Sequence, residues 1–246
     1  MIRLRADLHV HTVLSPCADV EMIPPLIVQQ ALDLGIHLIA ITDHNATANI
    51  ESVQKAALGT KLTVLPGMEL QTREEVHVLC LFDTLEQIQA WQQLVDKKMP
   101  AIENDVDHFG EQFVVDETGD FIRRETKMLS TSSDLSITEA FNQVNMLGGW
   151  MVPAHVNRKT NGLLSILGFV PTDIAIDALE ISLHLGKDEA YRQFPQIRRY
   201  PLIQDGDVHL LGDFAGTNEF HVEKISINEL RMAVHQHEGR KHCILG

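Results

Sequence analysis

The sequence predicts an α/β protein built on a mostly parallel sheet, open or closed into a barrel, and three observations lead there. Strand-like and helix-like segments alternate along the chain. Apolar runs that read as strands repeatedly finish in His, Asp or Glu. Prolines, glycines and S-x-x-E pairs fall where helices should start and stop.

The first strand is LRADLHVHT, residues 4–12, in which alternation puts Asp7, His9 and His11 on one face and Leu8 and Val10 on the other. PPLIVQQALDLG follows as a helix, with prolines in its first turn and Gly35 at its end. HLIAITDHN is an apolar run that turns polar, and NIESVQKAALG is a helix stopping at Gly59. KLTVLPGMEL and EEVHVLCLF read as strands, and TLEQIQAWQQLVDKKM as an amphipathic helix with Trp91 and Leu94 in the core. Between Pro100 and Asp134 the rhythm breaks: FVVDETGDFIRRE reads as a hairpin turning at Thr118-Gly119-Asp120. This excursion, residues 100–134, is too short to hold a core, so residues 1–246 are expected to form one domain. Beyond it come a helix from Ser136, the strands WMVPAHV and ALEIS, a helix over Lys187 to Gln193, the strands PLIQDGDVH and EFHVEKIS, and a last helix. Ser136 with Glu139 and Ser226 with Glu229 form S-x-x-E capping boxes.

Composition narrows the function. A hydrophobic content of 44% over 246 residues supplies a real core. The net charge of -14 argues against a broad nucleic-acid surface, and 5% aromatics do not advertise a base-stacking platform. No apolar run approaches the ~20 residues of a membrane helix. The N-terminus shows no signal peptide, and Cys17, Cys80 and Cys243 form no spaced pairs, so a reducing compartment, the cytoplasm, is expected.

His9 and His11 close the first strand, Asp43 and His44 end the next, and Glu69 ends TVLPGMEL. His77 lies in EEVHVLCLF, His155 ends WMVPAHV, and Asp207 and His209 end PLIQDGDVH. A lone His-x-His could belong to a solvated edge strand. Several such strand ends would instead converge at the mouth where α/β enzymes assemble their sites. Imidazole with carboxylate suits zinc, manganese or iron, whereas calcium and magnesium prefer oxygen. So many ligands exceed one tetrahedral ion and suit two or three divalent metals, with Glu69 as the natural bridge.

DLHVHT, ITDHN, PGMEL, EVHVL, PAH and DGDVH, in this order from Asp7 to His209, resemble the PHP (polymerase and histidinol phosphatase) superfamily. The resemblance implies a distorted (β/α)7 TIM-like barrel and a trinuclear metal site that hydrolyses phosphate esters. His9, His11, Glu69 and Asp207 would hold the first metal, Glu69, His77 and His155 the second, and His44 and His209 the third. Two departures stand out. Gly206-Asp207-Val208-His209 replaces the usual Ser-Asp-Ala-His but keeps both ligands. The third metal's remaining ligand falls in SPCADVEMIP: counting forward from His11 points to Cys17, counting back from Pro24 to Asp19. Asp19 is favoured, with Cys17 either a small filler or a soft thiolate ligand.

The implied reaction is attack of a metal-bridging hydroxide on phosphorus, with Glu69 and Asp207 central and Arg158 as the fork that grips phosphate. Lys159 and Arg73 compete for that last role. Substrates would be a small phosphomonoester, a nucleotide or the end of a short single-stranded oligonucleotide. The rival is a metal-binding barrel that senses a ligand without turnover. Hydrolysis of a C–N bond fits less well, since no lysine ends a strand to serve as a carboxylated ligand. Asp7 and Asp43 read as residues that orient ligand histidines. His37, His108, His184 and His221 read as structural or surface residues, Cys80 as a buried hydrophobe, and His235, His237 and His242 as a solvated last turn.

Overall fold

A computed structural model describes residues 1–245. Chain order is β1 (Ile2–Val10), α1 (Pro24–Asp33), β2 (Leu38–Ile41), α2 (Ile50–Ala56), β3 (Thr63–Gln71), β4 (His77–Leu81) and α3 (Leu85–Asp96). Next come α4 (Val106–Phe109), β5 (Phe113–Val115), β6 (Phe121–Arg124), α5 (Ile137–Met146), β7 (Trp150–Pro153) and α6 (Leu163–Ile166). The chain continues with β8 (Leu179–Glu180), α7 (Lys187–Gln193), β9 (Leu202–Ile203), β10 (Asn218–Val222), α8 (Ile227–Val234) and β11 (Lys241–Ile244).

Seven strands form one curled sheet in the order β11-β10-β1-β2-β3-β4-β7. Parallel pairing is confined to β1–β2 and β2–β3 in this sheet, which corrects the mostly parallel expectation. β3 and β4 are joined by only residues 72–76, and so short a link forces a hairpin. β10 then returns antiparallel to β1 and β11 antiparallel to β10. β8 and β9 form a separate parallel pair. It is tied to the large sheet by Val156 N–H donating to Glu180 O, and the chain beyond β9 by bonds linking His9 and His11 to Val208.

One sheet face is covered by α1, α2, α3 and α5, whose Ile27, Val53, Trp91 and Phe141 pack with Ile39 and Ile41. The other curls around Leu4, Leu38, Leu79, Trp150 and Phe220, and α8 closes it with Leu230 and Ala233. Fully burying each such side chain contributes about 1.5–3 kcal/mol. Local signals place the helices. Thr84 and Gln87 cap α3 reciprocally, as Ser136 and Glu139 cap α5. Ser226 accepts Glu229 N–H, but the Glu229 carboxylate turns to Arg240, so that box is half-made.

Two local expectations change. The β1–β2 ladder shifts register between Asp7 and Val10. Leu8 therefore packs with Leu4 and Ala6, and Val10 with Ile39 and Ile41, so simple alternation does not run through the histidine pair. His242 lies on β11 rather than in a solvated last turn, donating to or accepting from Asn218 Oδ1 at 2.9 Å and packing on Phe220. The excursion holds the expected hairpin, β5–β6.

Candidate metal centre

The expected residues converge. His9 lies in β1 and His11 just beyond it, while His44 leaves β2 and bridges to Glu69 of β3. His77 opens β4, His155 follows β7, and Asp207 and His209 lie beyond β9 in irregular backbone rather than in a strand. His155 and Asp207 are held at positive φ, 29° and 48°. For non-glycine residues that costs about 1–3 kcal/mol each and persists where the surroundings over-determine it.

Glu69 is the hub, a fully buried carboxylate among imidazoles. Its Oε1 lies 2.8 Å from His77 Nδ1, 3.0 Å from His155 Nε2 and 3.3 Å from His9 Nε2. Its Oε2 lies 2.9 Å from His44 Nδ1 and 3.4 Å from His11 Nε2. Asp207 Oδ1 sits 3.2 Å from His9 Nε2 and 3.4 Å from His11 Nε2. Three overlapping sets bring ligand atoms within 4.8 Å of one another: His9, His11, Glu69 and Asp207; His44, Glu69 and His77; and His11, His44 and His209. His155 touches the centre through Glu69.

Charge follows from this crowding. Burial alone would lower the His9 and His44 imidazoles, yet the surrounding carboxylates hold both well above the usual range. Burial alone would raise Glu69 and Asp207, but the imidazoles pull both down. Burial prevails at His77, which is lowered. Protons thus play the part of cations here.

The residues fit metal ions on a separate observation. His9 Nε2, His11 Nε2, Glu69 Oε2 and His155 Nδ1 are buried without a hydrogen-bond partner. Orphans of that kind cost about 1–3 kcal/mol each, and four together point to a missing ligand. The opposite ring nitrogens are fixed. His9 Nδ1 meets Glu180 at 2.9 Å, and His11 Nδ1 meets Ser15 Oγ at 2.9 Å. Ser15 donates in turn to Asp43, which also accepts from Thr12 N and Oγ1. Such partners set the tautomer that leaves Nε2 free for a cation.

Asp43 therefore orients His11 as expected, while Asp7 acts elsewhere. The Asp7 carboxylate accepts the N–H groups of Gly206, Ala215 and Gly216 and anchors the loop that carries Asp207 and His209. Glu180 went unnoticed in the sequence, although ALEIS holds an acid inside an apolar run. It accepts from His155 N–H at 2.7 Å as well as bonding His9.

Asp19 stands outside the three sets, and its carboxylate accepts Glu21 N–H. Cys17 Sγ instead lies 3.1 Å from His209 Nε2. Burial raises that thiol, but hydrogen bonds from His209 and His44 outweigh it and bring it down to about 5. Geometry thus reverses the preference for Asp19. Arg158 Nη1 contacts Asp207 Oδ2 at 2.5 Å and lines, with Lys159, a cleft of about 310 Å³ over the centre. Arg73 is bound to Asp134 and Glu139 in another cleft, which removes it as a phosphate ligand here.

The 5'-3' exoribonuclease Rnm of Salmonella typhimurium and that of Escherichia coli are each 34% identical to this chain over 80 residues. Those residues are 30% of this chain and 26% of each enzyme, so the match spans about a quarter of the curated relatives. The lesion-specific endonuclease EndoQ of Pyrococcus furiosus has a similar fold, with a TM-score of 0.73 at 20% identity over 98% of this chain and 58% of that one. The profile of the PHP domain matches residues 7–140, more than half of the sequence and spanning His9, His11, His44, Glu69 and His77: the chain belongs to the PHP domain family.

Proposed function

We propose that this chain is a metal-dependent phosphoesterase that hydrolyses a phosphomonoester, a nucleotide or the end of an oligonucleotide at a di- or trinuclear centre. The carrying observation is the buried carboxylate of Glu69 shared by five imidazoles, with the Nε2 atoms of His9 and His11 left without partners. In this reading residues 1–246 are one domain, a distorted (β/α)7 barrel in which β8 and β9 complete the ring from β7 back to β1.

Bound zinc, manganese or iron would supply Lewis acidity and ease the ionisation of water. The rest comes from the chain. His9, His11, Glu69 and Asp207 would hold one ion, Glu69, His77 and His155 a second, and His44 and His209 a third. Glu69 keeps adjacent cations together by offering one oxygen to each side. Arg158, partly exposed in the cleft and resting on Asp207, is placed to fork onto a phosphate oxygen, and Lys159 adds a second cation.

The related exoribonucleases and endonuclease support a nucleic-acid end as substrate. With a net charge of -14, anion binding is concentrated at the cleft rather than spread over the surface.

Activity is expected to vanish with chelator, return with Mn²⁺ or Zn²⁺, and rise with pH through neutrality. Glu69→Gln should lower kcat by roughly 10³-fold, an effect of the size seen when a preorganised charge is removed. Metal-loaded protein inert toward phosphomonoesters, phosphodiesters and oligonucleotides would hand the case to a non-catalytic ligand-binding role.

A further inference from the structure

We propose that Cys17 is a metal ligand and that with His11, His44 and His209 it forms a thiolate–imidazole site, softer than the carboxylate-rich sites beside it. The inference rests on the metal-centre reading above and concerns the composition of one corner of it.

Four side chains meet there. Cys17 Sγ is 3.1 Å from His209 Nε2, and His11, His44 and His209 can each place one nitrogen within 4.8 Å of the others. The ring of His11 lies 4.1 Å from that of His209 and 4.7 Å from that of His44. An independent sign of a ligand is the Nε2 of His11, which belongs to a fully buried residue and has no hydrogen-bond partner. The remote nitrogens are already engaged: His11 Nδ1 with Ser15 Oγ, and His209 Nδ1 with the Asp207 carbonyl at 2.8 Å. Both rings can thus present an unprotonated Nε2 to the same corner.

The loop decides which residue joins them. Successive turns, Ser15 N to Thr12 O, Ala18 N to Ser15 O and Met22 N to Asp19 O, wind residues 12–22 past the centre. Asp19 N–H donates to His209 O, fixing the loop against the ligand-bearing segment, while its carboxylate closes a turn onto Glu21 N–H. Cys17 is left with its sulfur on His209. One thiolate with three imidazoles is a tetrahedral zinc set, whereas the Glu69 and Asp207 sites, richer in oxygen, also accept manganese.

Cobalt(II) reports sulfur ligation directly. Full-length protein stripped by chelator and refilled with Co²⁺ should show a thiolate-to-cobalt charge-transfer band in the near ultraviolet. Cys17→Ser should lose the band and about one equivalent of metal by elemental analysis, while Cys243→Ser keeps both. Cys17→Asp should retain the metal count without the band, separating loss of the ligand from loss of the fold. Asp19→Asn should change neither. A band that survives Cys17→Ser, or an equivalent lost in Asp19→Asn, would overturn the assignment. Two equivalents of cobalt bound by wild type with no sulfur band would overturn it alone. Wild type that takes up no metal would overturn the phosphoesterase reading along with it.

Discussion

Glu180 joins two ligand-bearing strands through one carboxylate, holding the His9 ring on one oxygen and the His155 backbone on the other. Glu180→Gln can still accept the His155 N–H, but its NH₂ group cannot accept from His9 Nδ1. The His9 tautomer should invert and direct Nε2–H at the cation. Competition titration should show metal affinity falling roughly 10–100-fold, with thermal stability changed far less. Arg158→Ala separates binding from chemistry differently: KM for a phosphate ester should rise about tenfold while kcat holds, if the fork grips ground and transition states alike. His9, His11, His44, Glu69, His77, His155, Asp207 and His209 were legible because each sits in a short motif at an apolar run's end. Glu180 was not, because a two-residue strand gives no periodicity to show which way its acid points. Cys17 against Asp19 was undecidable by counting, since turns within residues 12–22, invisible to spacing, choose between them.

At the scale of elements, strand and helix identities followed from caps and apolar periods, but strand directions did not. The short β3–β4 link could have revealed the hairpin; the return of β10 onto β1 depends on contacts far apart in sequence and leaves no local mark. β11 was missed because KHCI is a short edge strand whose side chains are exposed or half-buried. That strand carries a measurable consequence. Burial, with Lys187 nearby, pushes the His242 imidazole down to about 3, whereas the unfolded chain would bind that proton near 6.5. Between those values the unfolded state holds more protons, so this residue's contribution is complete above pH about 6.5 and drains away as pH falls toward 3. His242→Gln keeps a donor for Asn218 Oδ1. Its urea midpoint should therefore drop less between pH 7 and pH 5 than that of wild type.

For the whole molecule, an acidic chain concentrates its ligands into one centre that draws on strands along most of the sheet. Elemental analysis is expected to find two to three transition-metal ions per chain. Since only the folded chain assembles the centre, each site should stabilise it by about 4 kcal/mol at a thousandfold excess of metal over Kd. For a protein of this size that is a rise in Tm of roughly 10 °C, readable by calorimetry with and without chelator. An unchanged Tm would argue that the imidazoles meet for another reason.

The Asp7 clamp also sets an order of assembly. Asp7 and Gly206, whose N–H it accepts, are 199 residues apart in sequence, and β1, almost the first segment made, lies in the middle of the sheet with β10 on one side and β2 on the other. On a ribosome, β1 must wait with one edge bare until residues 218–222 emerge to cover it. Loop-closure entropy makes such remote pairing slow. The pairs His9–Asp207 and His11–Asp207 form only after that closure, so ion capture would come last and mark a chain that has finished folding.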